Sequence, residues 1–274
     1  MERFNTLTPK PMKPYKLDKL TMVFSFFLTE NFENKRYNKI HGYFIDKYSN
    51  VFDEVRITIL IDDIENTELI NSCKKWFVDK IHCNDVVFKV RKNTYNCESA
   101  VFMEEIASKM DELCGLCFFG HNKGISIYEL YPECKDNIDI WVAGLWYLNL
   151  NFLDEVKYNL MFYKHIMYGA FMTDESNSDT FEKAKTHYAG TFYWINPSSY
   201  TITYGHNIHL LSERWFAEDF PIHIMPELKY SHKFWYIYTI DYYSSIGNYI
   251  NSFFNEDELP DFYKTLDEIK RLYD

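Results

Sequence analysis

The chain is short of glycine, with 9 in 274 residues, and it contains neither a Gly-x-Gly-x-x-Gly step nor a Gly-x-x-x-x-Gly-Lys-Ser/Thr step. Both motifs use glycine to let backbone approach phosphate, so neither a typical dinucleotide fold nor a P-loop is supported. A surplus of positive charge is also missing. The formal net charge is −11, a field that repels polyanions and argues against a general nucleic-acid coat protein. No apolar run reaches the roughly 18 residues of a spanning helix, and the N-terminus lacks the basic-then-apolar order of a signal peptide. The expectation is a soluble, cytoplasmic protein. Six cysteines, Cys73, Cys83, Cys97, Cys114, Cys117 and Cys134, without a secretory signal, read as reduced thiols. Cys114 and Cys117 lie in a strand-like run where three-residue spacing sends the sulfurs to opposite faces. No second Cys-x-x-Cys exists to complete a zinc site.

What the chain has in excess is aromatic side chains, 19% of residues with 23 Tyr and 23 Phe, enough for core bulk and for flat surfaces on which sugars or bases stack. Its length suits one large domain, because single cores stop growing near roughly 250–300 residues. Residues 1–20 form a leader punctuated by Lys10, Lys13, Lys16 and Lys19, which either meets phosphate or is simply solvated. Residues 21–130 and 131–274 then read as two halves of one domain.

In the first half, strand and helix patterns alternate. Strands are expected at Thr21–Leu28, Val55–Ile61, Asp85–Val90 and Leu116–Phe119, with helices at Asn34–Tyr48, Asn66–Val78 and Glu98–Leu113. Such alternation predicts an α/β fold with a mainly parallel central sheet covered by helices on both faces. The second half gives a helix over Trp141–Leu160 and strands at Ala189–Ile195 and Tyr200–Tyr204. A helix follows over Leu210–Phe216, and an acidic amphipathic helix around Asp261–Leu272. It reads as an elaboration that holds an acceptor.

Ligands of open parallel sheets bind beyond the carboxyl ends of the strands. Here those ends are Thr29-Glu30, Asp62-Asp63, Arg91-Lys92-Asn93 and His121-Asn122-Lys123, a polar set following four apolar runs. Asp62 and Asp63 suit a base N–H or ribose hydroxyls, and the alternative is that one of them caps the next helix. Lys123 can meet phosphate where no glycine loop does. At about 4 Å and an effective dielectric near 20, that attraction is on the order of 4 kcal/mol before desolvation. His121 is either a second donor to phosphate, a metal ligand with Asp62 or Asp63, or a core histidine.

Three segments, His121-Asn122-Lys123-Gly124, Ala189-Gly190-Thr191-Phe192-Tyr193-Trp194 and Ala217-Glu218-Asp219, together resemble the H-x-K-G, G-x-F-x-W and E-D motifs of a family of GT-A-fold glycosyltransferases. The resemblance spans roughly residues 20–225. It implies a nucleotide-sugar donor, UDP-sugar first, and transfer to a hydroxyl of a saccharide acceptor. Asp62, Asp63, Arg91, His121, Asn122 and Lys123 would bind the donor. Glu218 and Asp219 would supply the base that takes the acceptor proton; alternatively Glu218 pairs with Arg214 at i,i+4. Gly190, Trp194 and Arg214 would border the acceptor, with Trp194 as a stacking wall or else a core residue, and His187 would reach the diphosphate. The family's usual metal-holding Asp-x-Asp is absent, which leaves divalent-metal dependence open, and no metal ligands are assigned.

The acceptor is either a glycan, a lipid-linked saccharide, or a sugar already carried by hydroxymethylated DNA. The Lys-rich, Arg-poor composition suits an AT-rich genome such as that of a large phage or a host-restricted bacterium, and a phage enzyme would work in the host cytoplasm. The other class held open is a non-catalytic carbohydrate- or nucleotide-binding module on the same fold.

Overall fold

The computed structural model describes residues 16–94, 101, 104–105, 114–122, 132–162, 167–174, 186–188, 192–197, 230–234 and 257–273. Strand β1 (Lys16–Phe27) leads to helix α1 (Arg36–Tyr48), then β2 (Glu54–Ile61), α2 (Thr67–Val78), β3 (Asp85–Lys92) and β4 (Cys114–His121). Helices α3 (Lys135–Leu150) and α4 (Leu153–Lys157) follow, with a π-helical turn at Tyr158–Phe162. Strands β5 (Met167–Asp174), β6 (Thr186–Tyr188), β7 (Tyr193–Ile195) and β8 (Tyr230–Phe234) and helix α5 (Leu259–Lys270) complete the described strands and α-helices, beside three short 3-10 turns.

All eight strands belong to one sheet of order β3-β2-β1-β4-β7-β5-β6, with β8 beside β5. Four of the seven pairings are parallel, including the whole β3-β2-β1-β4 block, so the sheet is mainly parallel as its alternating sequence predicts. The second half extends this sheet through antiparallel β7 rather than building a separate one.

Strand period divides β2 cleanly. Val55, Ile57, Ile59 and Ile61 join the main core with α1, α2 and α3, while Leu60 packs with Val101 and Phe27 on the opposite face. Helix α1 forms because Tyr37, Ile40, His41, Phe44, Ile45 and Tyr48 fall on one buried stripe. Helix α2 starts where the Asn66 side chain accepts the Leu69 N–H at 3.1 Å, a cap of the kind that contributes about 1 kcal/mol. Helix α3 is buried all round from Trp141 to Leu150, which makes it the central core helix. Its Trp146 stacks on Phe24 at 5.4 Å and Phe44 at 5.9 Å, and donates its indole N–H to Nδ1 of buried His41 at 2.8 Å.

Several boundaries differ from expectation. Strand β1 begins at Lys16, so residues 16–20 of the expected leader are strand, and Lys19 pairs with Glu54 at 2.8 Å. Gly115 sits at the shift in β1–β4 register, where a Cβ would lie 2.0 Å from the Lys19 carbonyl oxygen, so only glycine fits there. The helix expected over 141–160 is broken after Leu150. There Asn149 turns its amide back onto the Leu145 carbonyl at 2.8 Å, the competition with helix continuation that Asn side chains offer. The expected strand at 189–195 is β7 over its last three residues. Tyr200–Tyr204 and Leu210–Phe216 lie outside the described residues, as does most of Glu98–Leu113, of which Val101, Glu104 and Glu105 are helical. Cys73, Cys83, Cys117 and Cys134 are free thiols, and burial pushes the Cys73 thiol up.

Helix α5 returns the chain to the first half. Lys39 reaches the Leu272 carbonyl at 3.0 Å, Tyr43 pairs with Glu268, and the Arg36 guanidinium lies 4.5 Å over the Tyr273 ring.

Candidate functional site

Because β3, β2, β1 and β4 are parallel neighbours, their carboxyl ends reach one edge of the sheet in that order. The ladder runs to the very end of each. Asn93 N–H donates to Ile61 O at 2.8 Å, Leu28 N–H to Leu60 O at 2.8 Å, and Asn122 N–H to Ser25 O at 3.1 Å. Strand order reverses between β1 and β4, which is where crevices of such sheets open.

At this edge Asp62 is exposed and accepts an amide N–H of Asn93 at 2.9 Å, which orients its carboxylate and leaves further lone pairs for a ligand. Asp63 accepts the Glu65 N–H at 3.0 Å and closes the turn that precedes α2. The helix cap is Asn66, so neither aspartate is spent on capping. Arg91 is held by both oxygens of Glu104, one of them at 2.8 Å. His121 occupies the last rung of β4 opposite Ser25, half-buried, with its ring 6.0 Å from that of Phe192. One position earlier, Gly120 has no Cβ to push Phe192 away, since one would lie 3.1 Å from that ring. Asn31, at φ 53°, turns the chain out of β1 in a left-handed conformation that Asn tolerates. Near it the Thr29 hydroxyl is buried and has no hydrogen-bond partner among the described residues.

Asn122 is 5% exposed and its amide is engaged on both sides. Oδ1 accepts the Phe27 N–H at 2.9 Å, and Nδ2 donates to the Phe27 carbonyl at 2.9 Å and to Asn38 Oδ1 at 3.4 Å.

Trp194 is a core residue. It is 0% exposed, stacks on Phe52 at 5.7 Å, leans on Phe118 at 5.2 Å, and donates its indole N–H to the Asn149 carbonyl at 2.9 Å. Of the two readings held for Trp194, the core one fits, since its ring lies in the aromatic cluster of Phe118 that also takes Phe192. Lys123, Gly190, Arg214, Glu218 and Asp219 lie outside the described residues, and His187 is placed only as a backbone position of β6 opposite Thr173.

Two residues of this edge, Asn38 and Glu104, are not picked out by the sequence: Asn38 looks like an interruption of the apolar stripe of α1, and Glu104 like solvated helix surface. A buried polar position within an apolar stripe is the one sign that could have drawn attention to Asn38. Among the described residues no three His, Cys, Asp or Glu side chains converge as a metal-binding set, and no helix is long and apolar enough to cross a membrane.

No protein-family model matches the chain, and no curated protein matches it. Among solved structures, that of mouse xyloside xylosyltransferase 1 in its apo form aligns over 86% of this chain and 94% of that chain, at 8% identity and a TM-score of 0.31. That likeness is too slight to give the chain a relative.

Proposed function

We propose that the chain is a glycosyltransferase that moves a sugar from a nucleotide-sugar donor, UDP-sugar first among the candidates, to a hydroxyl of a saccharide acceptor. The observation that carries this reading is the shared carboxyl edge of β3-β2-β1-β4, where Arg91, Asp62 and His121 stand at the ends of β3, β2 and β4, the last two flanking β1 beside the reversal of strand order. The H-x-K-G step that resembles the donor-binding motif of GT-A enzymes begins at that edge, on the fourth strand.

In this reading Asp62, held by Asn93, accepts from the base or ribose. His121 and Lys123 face the diphosphate, whose negative charge grows as it leaves. The acceptor oxygen forms a bond to the anomeric carbon, the carbon–oxygen bond to the diphosphate breaks, and the acceptor proton passes to Glu218 or Asp219. A divalent metal bound with the diphosphate would add charge compensation. The acceptor is a glycan or a sugar already on hydroxymethylated DNA, and the absence of a positive net charge favours recognition of the sugar over the backbone phosphates.

The test is release of nucleoside diphosphate from a panel of nucleotide-sugars, with and without oligosaccharide or glucosylated DNA. Glu218→Gln should lower transfer roughly 100- to 10,000-fold while sparing donor affinity. Donor binding with no turnover in any combination would assign the chain to the binding-module class instead.

A further inference from the structure

From the hydrogen bonds that close the end of β1, we infer that Asn122 is a positioning residue, an amide that completes the β1–β4 ladder from its side chain and so sets the crevice of the candidate donor site. The inference rests on the glycosyltransferase reading for its ligand and on hydrogen-bond geometry for its mechanism.

Just past β1, Leu28 gives its N–H to the Leu60 carbonyl of β2, while Ser25 O and both backbone groups of Phe27 face β4. Ser25 is satisfied by the backbone of Asn122 at 3.1 Å. Phe27 would ordinarily need the backbone of a residue further along β4. The Asn122 amide supplies both halves of that rung itself, accepting at 2.9 Å and donating at 2.9 Å. A primary amide is the side chain that presents a peptide-like acceptor and donor together, and no backbone group beyond residue 122 is needed to satisfy Phe27.

The same amide reaches Asn38 at 3.4 Å, and Asn38 donates to the Phe32 carbonyl at 3.0 Å. Asn122 thus joins the end of β4, the end of β1 and the turn that enters α1. These are the pieces that border the point where strand order reverses. Its neighbours in the chain are His121 and Lys123, so a change in how β4 ends moves the groups expected at the diphosphate.

Asparagine to aspartate gives a discriminating test. A protonated carboxyl offers one acceptor and one donor in nearly the geometry of the amide, whereas a carboxylate has no donor for the Phe27 carbonyl. Burial against that carbonyl favours the protonated form, so the folded Asn122→Asp variant holds its proton more tightly than the unfolded chain and gains stability as pH falls. The full chain, Asn122→Asp and Asn122→Leu are compared at pH 7.5 and pH 5 by thermal unfolding and by UDP binding, each variant referred to wild type at the same pH.

At pH 7.5 both variants should have lowered midpoints and bind UDP about tenfold more weakly, the effect of one buried group left unpaired. At pH 5 Asn122→Asp should recover both properties towards wild type, and Asn122→Leu neither. Equal behaviour of the two variants at both pH values would overturn the clamp. Lowered midpoints with unchanged UDP affinity would overturn the positioning role. If wild type itself gives no response to UDP, the donor reading is what fails, and acid recovery of the midpoint still decides the clamp.

Discussion

One face of the parallel sheet is packed with aromatic rings, and the other is held by charges. On the first face Phe24, Phe118 and Trp194 of the sheet pack with Phe44 of α1 and Trp146 of α3. On the second, Lys19 pairs with Glu54 and Arg56 bridges Glu54 to Glu105, which also takes Lys89, while Arg91 takes Glu104 beyond. Burial alone would lower Arg56, but hydrogen bonds and charges from Glu54 and Glu105 outweigh it and raise its pKa. The first face draws on buried apolar area, which is non-directional. The second fixes one register of the helical segment at 104–105 through paired charges whose partners are specified individually. The second face therefore sets where Arg91 stands at the candidate site, and the first sets how firmly the sheet that carries the site is built.

The largest break is expected on the aromatic face. Trp146→Ala removes the ring shared by Phe24, Phe44 and Phe118 and should cost about 3–5 kcal/mol in denaturant unfolding. A loss below about 1 kcal/mol would mean that α3 is not the core helix described.

The next concerns Asp139, a buried carboxyl among the helices of the aromatic face. Burial pushes it up to about 6 against the opposing pull of Arg36. Its folded pKa lies above the unfolded value, so the native state binds the extra proton, and the stability this carboxyl contributes is fully present below about pH 4 and is lost as pH rises through about 6. The swing should approach about 2–3 kcal/mol, and Asp139→Asn should flatten the stability profile between pH 4 and 6. A variant profile with the wild-type slope would place that titration elsewhere.

On the charged face, Glu105→Gln should cost about 1–3 kcal/mol, because Glu105 is 1% exposed while Arg56 keeps Glu54. Its cost should shrink in high salt less than that of a surface pair. The smallest effect is at the site edge. Glu104→Gln should change stability by less than about 1 kcal/mol, yet it releases one anchor of Arg91 and should alter nucleotide affinity more than it alters the unfolding midpoint. If affinity is unchanged while the midpoint drops, Arg91 serves the fold alone.

Much of the first half is legible in the sequence, because β-branched and aromatic runs such as Val55–Ile61 bury on both faces and stop at Asp62-Asp63. The convergence of polar strand ends follows from parallel pairing alone. What stays hidden is which polar groups are consumed by the fold. Asn122 reads as a ligand group until its amide is seen against Phe27, and Trp194 stays open between wall and core until its indole is seen on Asn149. The Arg56–Glu105 pair joins residues 49 apart, a contact that no local pattern encodes.

Nucleoside diphosphate binding at the carboxyl edge of β3-β2-β1-β4 is what the proposed function stands on, and it is read from the unfolding midpoint with UDP, GDP, CDP and dTDP, each in EDTA and in manganese, for wild type and Asp62→Ala. A nucleotide at about 100 times its dissociation constant should add roughly 2.7 kcal/mol. A rise is expected with one of the four, UDP first, and Asp62→Ala should abolish it while keeping a ligand-free midpoint near wild type. No rise with any nucleotide, or a rise of equal size in Asp62→Ala, would contradict it.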